Sequence, residues 1–146
     1  MNKVLNLSSN DFDEQLNLID PPSCKQDPST CLRYGKLVIL VYRPGCPHCD
    51  IYHPTFVQAA QSNTDPNLRF AELNTSDNPD FLGKVNAAQG TIEFKVQGVP
   101  TVLGYQAGRF YSVYGASDAS SGKKFRSLQD TLEYGQGIGS APIIYE

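Results

Sequence analysis

The feature that most constrains the fold is an uninterrupted apolar run, KLVILVY, at residues 36–42. A run of strand-forming residues without polar alternation is typical of a β-strand that is covered on both faces, as in a parallel sheet. The segment RPGCPHC follows at once, and its Pro47 suits the first position of a helix, where a missing N–H costs nothing. We therefore predict a buried strand that leads directly into a helix, an arrangement of the α/β class.

The predicted helix after this strand has a recognisable apolar face. Its apolar residues recur at helical spacing and are Cys49, Tyr52, Phe56 and Ala59 or Ala60. Pro54 lies inside the helix, and we expect a kink there because proline cannot donate to the carbonyl of Asp50.

The rest of the chain predicts further strands and helices in alternation. Strands are predicted at residues 3–7 and 67–74, and a hairpin at 98–115 with its turn at Ala107-Gly108. Helices are predicted at residues 80–88 and 127–134. Another helix is predicted after the capping side chains of residues 8–11, because Phe12, Leu16 and Ile19 recur at helical spacing.

Length and charge limit the possible partners. The 146 residues fit one domain, residues 1–146, with a Pro-rich, cysteine-containing loop insertion at about 20–35. The net charge is −3 and no segment concentrates lysine or arginine, so we expect the protein to bind neither nucleic acid nor a membrane surface. We also expect a monomer. No run reaches the roughly 18 apolar residues of a membrane span. The N-terminus lacks the apolar stretch of a secretory signal, which favours a cytoplasmic location.

Two of the four cysteines, Cys46 and Cys49, are separated by two residues. This spacing suits a metal, a structural disulfide or a working dithiol. Residues three apart on a helix are close enough for a disulfide. The helix N-terminus would favour the thiolate of Cys46, the attacking nucleophile, while Cys49 on the buried face would stay protonated until it resolves the mixed disulfide.

The intervening Pro47 and His48 affect the redox balance of the pair. A protonated His48 adds positive charge beside Cys46. If the helix end and His48 lower the thiol pKa from about 8.5 to about 5.5, the reduced form gains about 2 kcal/mol at neutral pH, equivalent to about 45 mV. Pro47 and His48 therefore tilt the pair toward oxidation or isomerisation of substrates.

Three motifs together resemble the thioredoxin superfamily, which includes thioredoxin and protein disulfide isomerase domains. They are CPHC after an apolar strand, Pro54 five residues past the second cysteine, and GVPT at residues 98–101. The resemblance implies a thioredoxin-like α/β fold with a mixed central sheet in strand order 1-3-2-4-5 and helices on both faces. It also implies that Pro100 is cis and faces the dithiol, and that no cofactor is needed.

The same resemblance implies a surface for protein substrates. The Val99 backbone would pair with an extended peptide, as a strand adds to a sheet edge. Thr101, Tyr42 and Gly45 are the other candidate substrate-binding residues. The partners would be cysteine-containing proteins and an unidentified redox partner.

The chain departs from the family pattern in its acidic residue. Leu40 stands where the family has a buried acid that accepts the proton of the inner cysteine, and Glu72 stands where a lysine is usual. Leu68, Phe70 and Glu72 alternate on one face of a predicted strand, so we hypothesise that Glu72 accepts the proton of Cys49. The alternative is a glutamate in solvent at the end of a strand. Gly45 replaces the usual tryptophan, which removes an aromatic contact surface.

The second cysteine pair, Cys24 and Cys31, permits several interpretations. A local disulfide, two free thiols and a relay that exchanges with Cys46 and Cys49 all remain open. A zinc site could use all four cysteines, or His53 in place of one, but the wide spacing of the first pair and the GVPT motif disfavour a metal.

These observations predict a thiol–disulfide oxidoreductase that acts on protein substrates through Cys46 and Cys49. The alternative is a thioredoxin-like peptide-binding or chaperone module without redox turnover. The intact cysteine pair favours the enzyme, because a binding module need not keep either sulfur.

Overall fold

The computed structural model describes residues 4–88, 100–114 and 128–138. Within these ranges, five strands form one sheet: β1 (Val4–Leu7), β2 (Lys36–Tyr42), β3 (Leu68–Asn74), β4 (Thr101–Gln106) and β5 (Arg109–Tyr114). The helices described there are α1 (Pro47–Ser62), α2 (Phe81–Ala88) and α3 (Leu128–Gly137). None of the helices in these ranges has the length and apolar character that crossing a membrane requires.

The sheet is mixed, in the order β1-β3-β2-β4-β5. Strand β3 pairs in parallel with both β1 and β2, whereas β4 pairs antiparallel with β2 and with β5. This confirms the predicted strand order. The turn between β4 and β5 lies at Ala107 and Gly108, which both have a positive φ, as a tight hairpin turn requires.

Both faces of β2 are buried, as the apolar run predicts. Val38 and Leu40 pack in one core with α1 and α3. Leu37, Ile39 and Val41 pack in a second core on the other face, which includes residues of α2. Alternate residues of a strand point to opposite faces, so a strand covered on both sides must be apolar throughout. Helices therefore cover both faces of the sheet, as predicted.

The helix predicted after residue 8 is wrong. Residues Ser9–Asp11 form one 3₁₀ turn, and Phe12 then forms an antiparallel bridge with Leu18. The Asp13 carboxylate accepts backbone N–H groups of two later residues and closes a turn, in which Leu16 has a φ of +64°. A side chain that bonds the nearby backbone competes with helix formation in this way. The apolar residues are buried in a folded-back loop, without helical geometry.

The predicted surface loop at residues 20–35 contains two short 3₁₀ turns, Pro22–Lys25 and Pro28–Thr30. The Asp20 carboxylate accepts the backbone N–H groups of Leu32 and Arg33, each at 2.8 Å. Arg69, the second residue of β3, donates a hydrogen bond to the Tyr34 carbonyl at 3.0 Å. These bonds hold the loop against the end of the sheet where β2 and β3 begin.

Candidate active site

The turn between β2 and α1 places Cys46 at the N-terminus of α1. Cys46 is the N-cap residue, and its carbonyl accepts the backbone N–H of Asp50 at 2.9 Å. The preceding Gly45 has a φ of +86°, in the left-handed region that strains other residues. A Cβ at Gly45 would have no atom within 4 Å, so the need for glycine comes from the backbone alone. The turn therefore gives a physical reason for glycine at this position.

Cys46 and Cys49 are both thiols in this structure, and both are buried. The side chain of Cys46 is 7% exposed, whereas that of Cys49 is fully enclosed. The two side chains are joined by a hydrogen bond. Solvent can therefore reach the outer sulfur, Cys46, but not the inner sulfur, Cys49. A nucleophile and a resolving thiol need this arrangement.

The environment of Cys46 favours its thiolate. Burial alone would raise its pKa, but hydrogen bonds outweigh burial and lower the pKa below the ordinary thiol value. The donors are the Cys49 thiol and the backbone N–H groups of Cys49 and His48, and the positive charge of Arg43 acts in the same direction. Unpaired N–H groups at a helix N-terminus are natural partners for an anion.

The environment of Cys49 has the opposite effect. Burial, followed by the hydrogen bond to Cys46, raises the pKa of Cys49 to about 12. Cys49 therefore keeps its proton at neutral pH and acts as the donor to the Cys46 sulfur. The pair can attack a disulfide with one sulfur and complete the exchange with the other, provided that a base removes the proton of Cys49.

The sequence reasoning missed Arg43, which supplies positive charge to Cys46 from the turn before α1. The available signal was a cation three residues before the first cysteine, in the short turn that joins β2 to Cys46.

Pro47 occupies the first turn of α1, as predicted, and both Pro47 and His48 are exposed. His48 contributes its backbone N–H, and the role of its imidazole stays a prediction.

The start of β4 lies beside the end of β2. Thr101 pairs with Val41, one residue before the end of β2, and both Pro100 and Thr101 are buried. This pairing brings Pro100 to the edge of the sheet from which the turn to Cys46 leaves. The cis peptide bond of Pro100 stays a prediction, and Val99 lies outside the described residues.

Tyr42 and Glu72 are hydrogen-bonded to each other, and both contact His53 of α1. The Tyr42 hydroxyl donates to Glu72 Oε2 at 3.0 Å, and His53 Nε2 lies 3.0 Å from Glu72 Oε1. The rings of Tyr42 and His53 are also in contact, with their centroids 5.0 Å apart. The Glu72 side chain is only 14% exposed, so it lies closer to the predicted inward position than to a solvated strand end. Its predicted function as proton acceptor remains a hypothesis.

Cys24 and Cys31 form a disulfide, and their Cα atoms are 4.7 Å apart. Their loop lies where β2 begins, whereas Cys46 follows the end of β2. A seven-residue strand spans about 20 Å. The local disulfide is therefore the alternative that the structure contains, and a direct relay to Cys46 within one molecule would have to bridge the length of the sheet.

The four-cysteine zinc site does not form in the described part of the chain. Among the described residues, a group of potential metal ligands is formed by Asp20, Cys24 and Cys31, whose ligand atoms all lie within 4.8 Å of one another. The two sulfurs of that group are already bonded to each other, and Cys46, Cys49 and His53 do not join it. The two cysteine pairs therefore lie in separate parts of the fold.

Comparison with solved structures identifies the fold. Spinach chloroplast thioredoxin f is similar over 92% of this chain and 95% of its own length, with a TM-score of 0.56 and 13% sequence identity. The zinc-bound form of human ERp44 is similar over 92% of this chain, with a TM-score of 0.57 and 16% identity, and the J-Trx1 fragment of ERdj5 over 91%, with 0.58 and 18%. This chain covers 29% of the ERp44 chain and 48% of the ERdj5 fragment.

By sequence, no protein family and no curated protein matches the chain. The sheet order, the covered faces and these neighbours together define a thioredoxin-like fold. A cysteine pair stands at the start of the helix that follows its central strand β2.

Proposed function

We propose that this protein is a thiol–disulfide oxidoreductase that exchanges disulfides with cysteine-containing proteins through Cys46 and Cys49. The observation that carries the proposal is the geometry at the start of α1: Cys46 is the N-cap residue and is 7% exposed, whereas Cys49 is fully enclosed one turn further into the helix. The directions of the two pKa shifts agree with it, because the pKa of Cys46 is lowered and that of Cys49 is raised. A binding module would gain nothing from one activated and one protected sulfur. Exchange through a mixed disulfide needs both.

The proposed cycle keeps electrons and bonds in balance. In the reducing direction, the Cys46 thiolate attacks a substrate disulfide, forms a mixed disulfide and releases one substrate thiolate. Cys49 then loses its proton and attacks Cys46, so that a Cys46–Cys49 disulfide forms and the second substrate thiolate leaves. In the oxidising direction the same steps run backward, and a separate redox partner restores the starting state. The two electrons are held by the reduced Cys46–Cys49 dithiol and given up when its disulfide forms, so we propose no cofactor.

The finer proposal is a tilt toward oxidation or isomerisation. Groups that stabilise the Cys46 thiolate stabilise the reduced protein, which makes the disulfide the stronger oxidant. The helix N-terminus and Arg43 both act in this direction, and Pro47 and His48 are proposed to add to it. The thioredoxin-like fold is compatible with oxidation and with reduction of substrates. The reduction potential of the Cys46–Cys49 couple is therefore the measurement that distinguishes the two directions.

Substrates are proposed to bind across the edge formed by the turn before Cys46 and the start of β4. Gly45 is exposed and leaves room there for a polypeptide. Thr101 begins the neighbouring strand β4 and Pro100 directly precedes it. Val99 is proposed to pair with the substrate backbone. The Tyr42 hydroxyl is bonded inward to Glu72, so we assign Tyr42 a supporting position behind this surface.

The test is to measure disulfide exchange with a protein substrate. The unsubstituted protein should accelerate both the reduction of insulin and the oxidative refolding of a reduced disulfide protein. Cys46→Ser should abolish both activities, whereas Cys49→Ser should accumulate mixed disulfides that are visible on a non-reducing gel. Cys24→Ser with Cys31→Ser serves as the matched control and should keep both activities. Cysteines that exchange with neither glutathione nor protein would favour the binding or chaperone module.

A further inference from the structure

Three side chains beside α1 form one connected group, which we call the His53 network: Tyr42, His53 and Glu72. Glu72 accepts from Tyr42 through one carboxylate oxygen and contacts His53 Nε2 through the other, each at 3.0 Å. The Glu72 side chain is 14% exposed and that of His53 is 35% exposed. A partly buried carboxylate that holds a histidine next to a cysteine pair is an arrangement that can move protons.

The Glu72 carboxylate determines which nitrogen of His53 carries the proton. An ionised carboxylate only accepts hydrogen bonds, so a neutral His53 must donate through Nε2–H. Nδ1 is then the basic nitrogen with an available lone pair. A carboxylate bonded to one ring nitrogen also stabilises the imidazolium that forms when the other nitrogen takes up a proton.

The position of His53 on α1 places its side chain on the same side of the helix as the resolving thiol. His53 follows Cys49 by four residues, so the two side chains are neighbours on one side of the helix. Cα–Cβ bonds in a helix tilt toward its N-terminus, so the His53 side chain lies over the turn that contains Cys49. Leu40 lies beside Glu72 on the neighbouring strand β2 and is buried in the core beneath α1. Its apolar side chain cannot accept a proton, so Leu40 cannot act as the base for Cys49.

We propose that His53, oriented by Glu72, accepts the proton of Cys49 during the resolving step. The inference rests on the proposed oxidoreductase function and assigns it a second catalytic histidine. The proton passes from Cys49 Sγ to His53 Nδ1, directly or through one water, as the Cys49–Cys46 bond forms and the bond between Cys46 and the substrate sulfur breaks. The leaving substrate thiolate then takes the proton from His53. In the oxidising direction His53 gives the proton back to the departing Cys49.

The other ionisable groups around this path are compatible with that function. Burial and the bond to Glu72 raise the pKa of Tyr42 to about 12, so Tyr42 stays protonated and donates to the carboxylate. In the mixed disulfide Cys46 carries no charge, but the negative charge of Asp50 still acts on Cys49, and that of Asp77 acts on Tyr42. Each of them opposes loss of a proton by these groups, so deprotonation of Cys49 needs a nearby base.

The test separates the two chemical steps with a visible readout. An aromatic disulfide whose released thiolate absorbs visible light is mixed with the reduced protein in a stopped-flow instrument. The first release reports attack by Cys46, and the second reports resolution by Cys49. All variants carry Cys24→Ser and Cys31→Ser, so that only Cys46 and Cys49 can release the coloured thiolate.

His53→Gln should slow the second release by about 100-fold at neutral pH and leave the first within about twofold. The residual second phase should rise with hydroxide concentration, because hydroxide replaces the missing base. Glu72→Gln, which keeps the side-chain size, should slow the same phase. Arg109→Gln is the control and should leave both phases unchanged, because Arg109 pairs with Gln106, which pairs with Lys36 at the end of β2 away from Cys46.

An unchanged second phase in His53→Gln across the pH range would overturn the proposal. Equal slowing of both phases would also overturn it, because a merely structural role for His53 would act on the whole site. Absence of any first release in the unsubstituted protein would instead contradict the proposed oxidoreductase function. The two failures are therefore distinguishable in one experiment.

Discussion

Cys46 and Cys49 share a hydrogen bond at the start of α1, and their pKa values are shifted in opposite directions. A shared hydrogen bond favours the charge on the sulfur that accepts and disfavours it on the sulfur that donates. Burial decides which sulfur donates, because Cys49 is fully enclosed while Cys46 is 7% exposed and lies against the helix N-terminus. The asymmetry is therefore a property of the helix position and does not require a difference between the two residue types.

Arg43 should tune the reactivity of Cys46. Removing its charge with Arg43→Gln should raise the pKa of Cys46, because that charge is one of the influences that lower it. The rate of alkylation at mildly acidic pH should fall roughly threefold in low salt, and the difference should shrink as salt screens the exposed arginine. Arg109→Gln, in β5, is the control for net charge. Identical alkylation profiles for Arg43→Gln and the unsubstituted protein would contradict the assigned influence.

Alkaline pH should destabilise the reduced fold through Cys49. The pKa of Cys49 rises from 9.0 to about 12 in the folded protein. Between these values the unfolded chain binds fewer protons than the folded one, so the free energy of unfolding should fall as the pH rises through that window. Urea unfolding of Cys46→Ser under oxygen-free conditions measures the fall without disulfide exchange at Cys46. Burial, the largest cause of the shift, remains in this variant, so the pH window narrows and the sign of the effect stays the same. Adding Cys49→Ser should make the dependence on pH shallower, and an unaltered slope would argue against a buried, protonated Cys49.

We expect any substitution of Gly45 to be unfavourable because of its backbone conformation. Its φ of +86° disfavours any side chain, so Gly45→Ala should cost about 1–2 kcal/mol of stability or shift the turn that positions Cys46. Gly83→Ala is the matched control. Gly83 lies in α2, with no atom near its missing Cβ and no positive φ, so the substitution should stabilise by about 0.5–1 kcal/mol. Thermal unfolding and the rate of Cys46 alkylation together check both expectations.

The Cys24–Cys31 disulfide should stabilise the fold without affecting the active site. Closing its loop of sequence separation 7 is worth roughly 2.5 kcal/mol on the chain-entropy estimate. Replacing both cysteines with serine should lower the free energy of unfolding by about that amount. The reduction potential of the Cys46–Cys49 couple should stay the same, since the loop lies at the opposite end of β2. A changed potential would instead reveal communication between the two pairs.

Where the sequence pattern and the local chemistry agreed, the prediction was confirmed. The apolar run at residues 36–42 became β2 with both faces buried, and Pro47 began α1. The helix predicted after residue 8 failed because Asp13 bonds its own nearby backbone, which apolar spacing does not reveal. Arg43 was missed because its effect on Cys46 depends on the path of the turn.

The sequence by itself determined the central strand and the helix with the cysteine pair at its start, because periodicity and proline position act locally. The order of the sheet was expected only from the resemblance of three motifs to the thioredoxin superfamily. Only the tertiary structure decided that Tyr42, His53 and Glu72 meet, and that the two cysteine pairs stand at opposite ends of β2. The physical reason is that these relationships join residues from different elements. Their distances are set by how β2, β3 and α1 pack, and no local pattern along the chain encodes that packing.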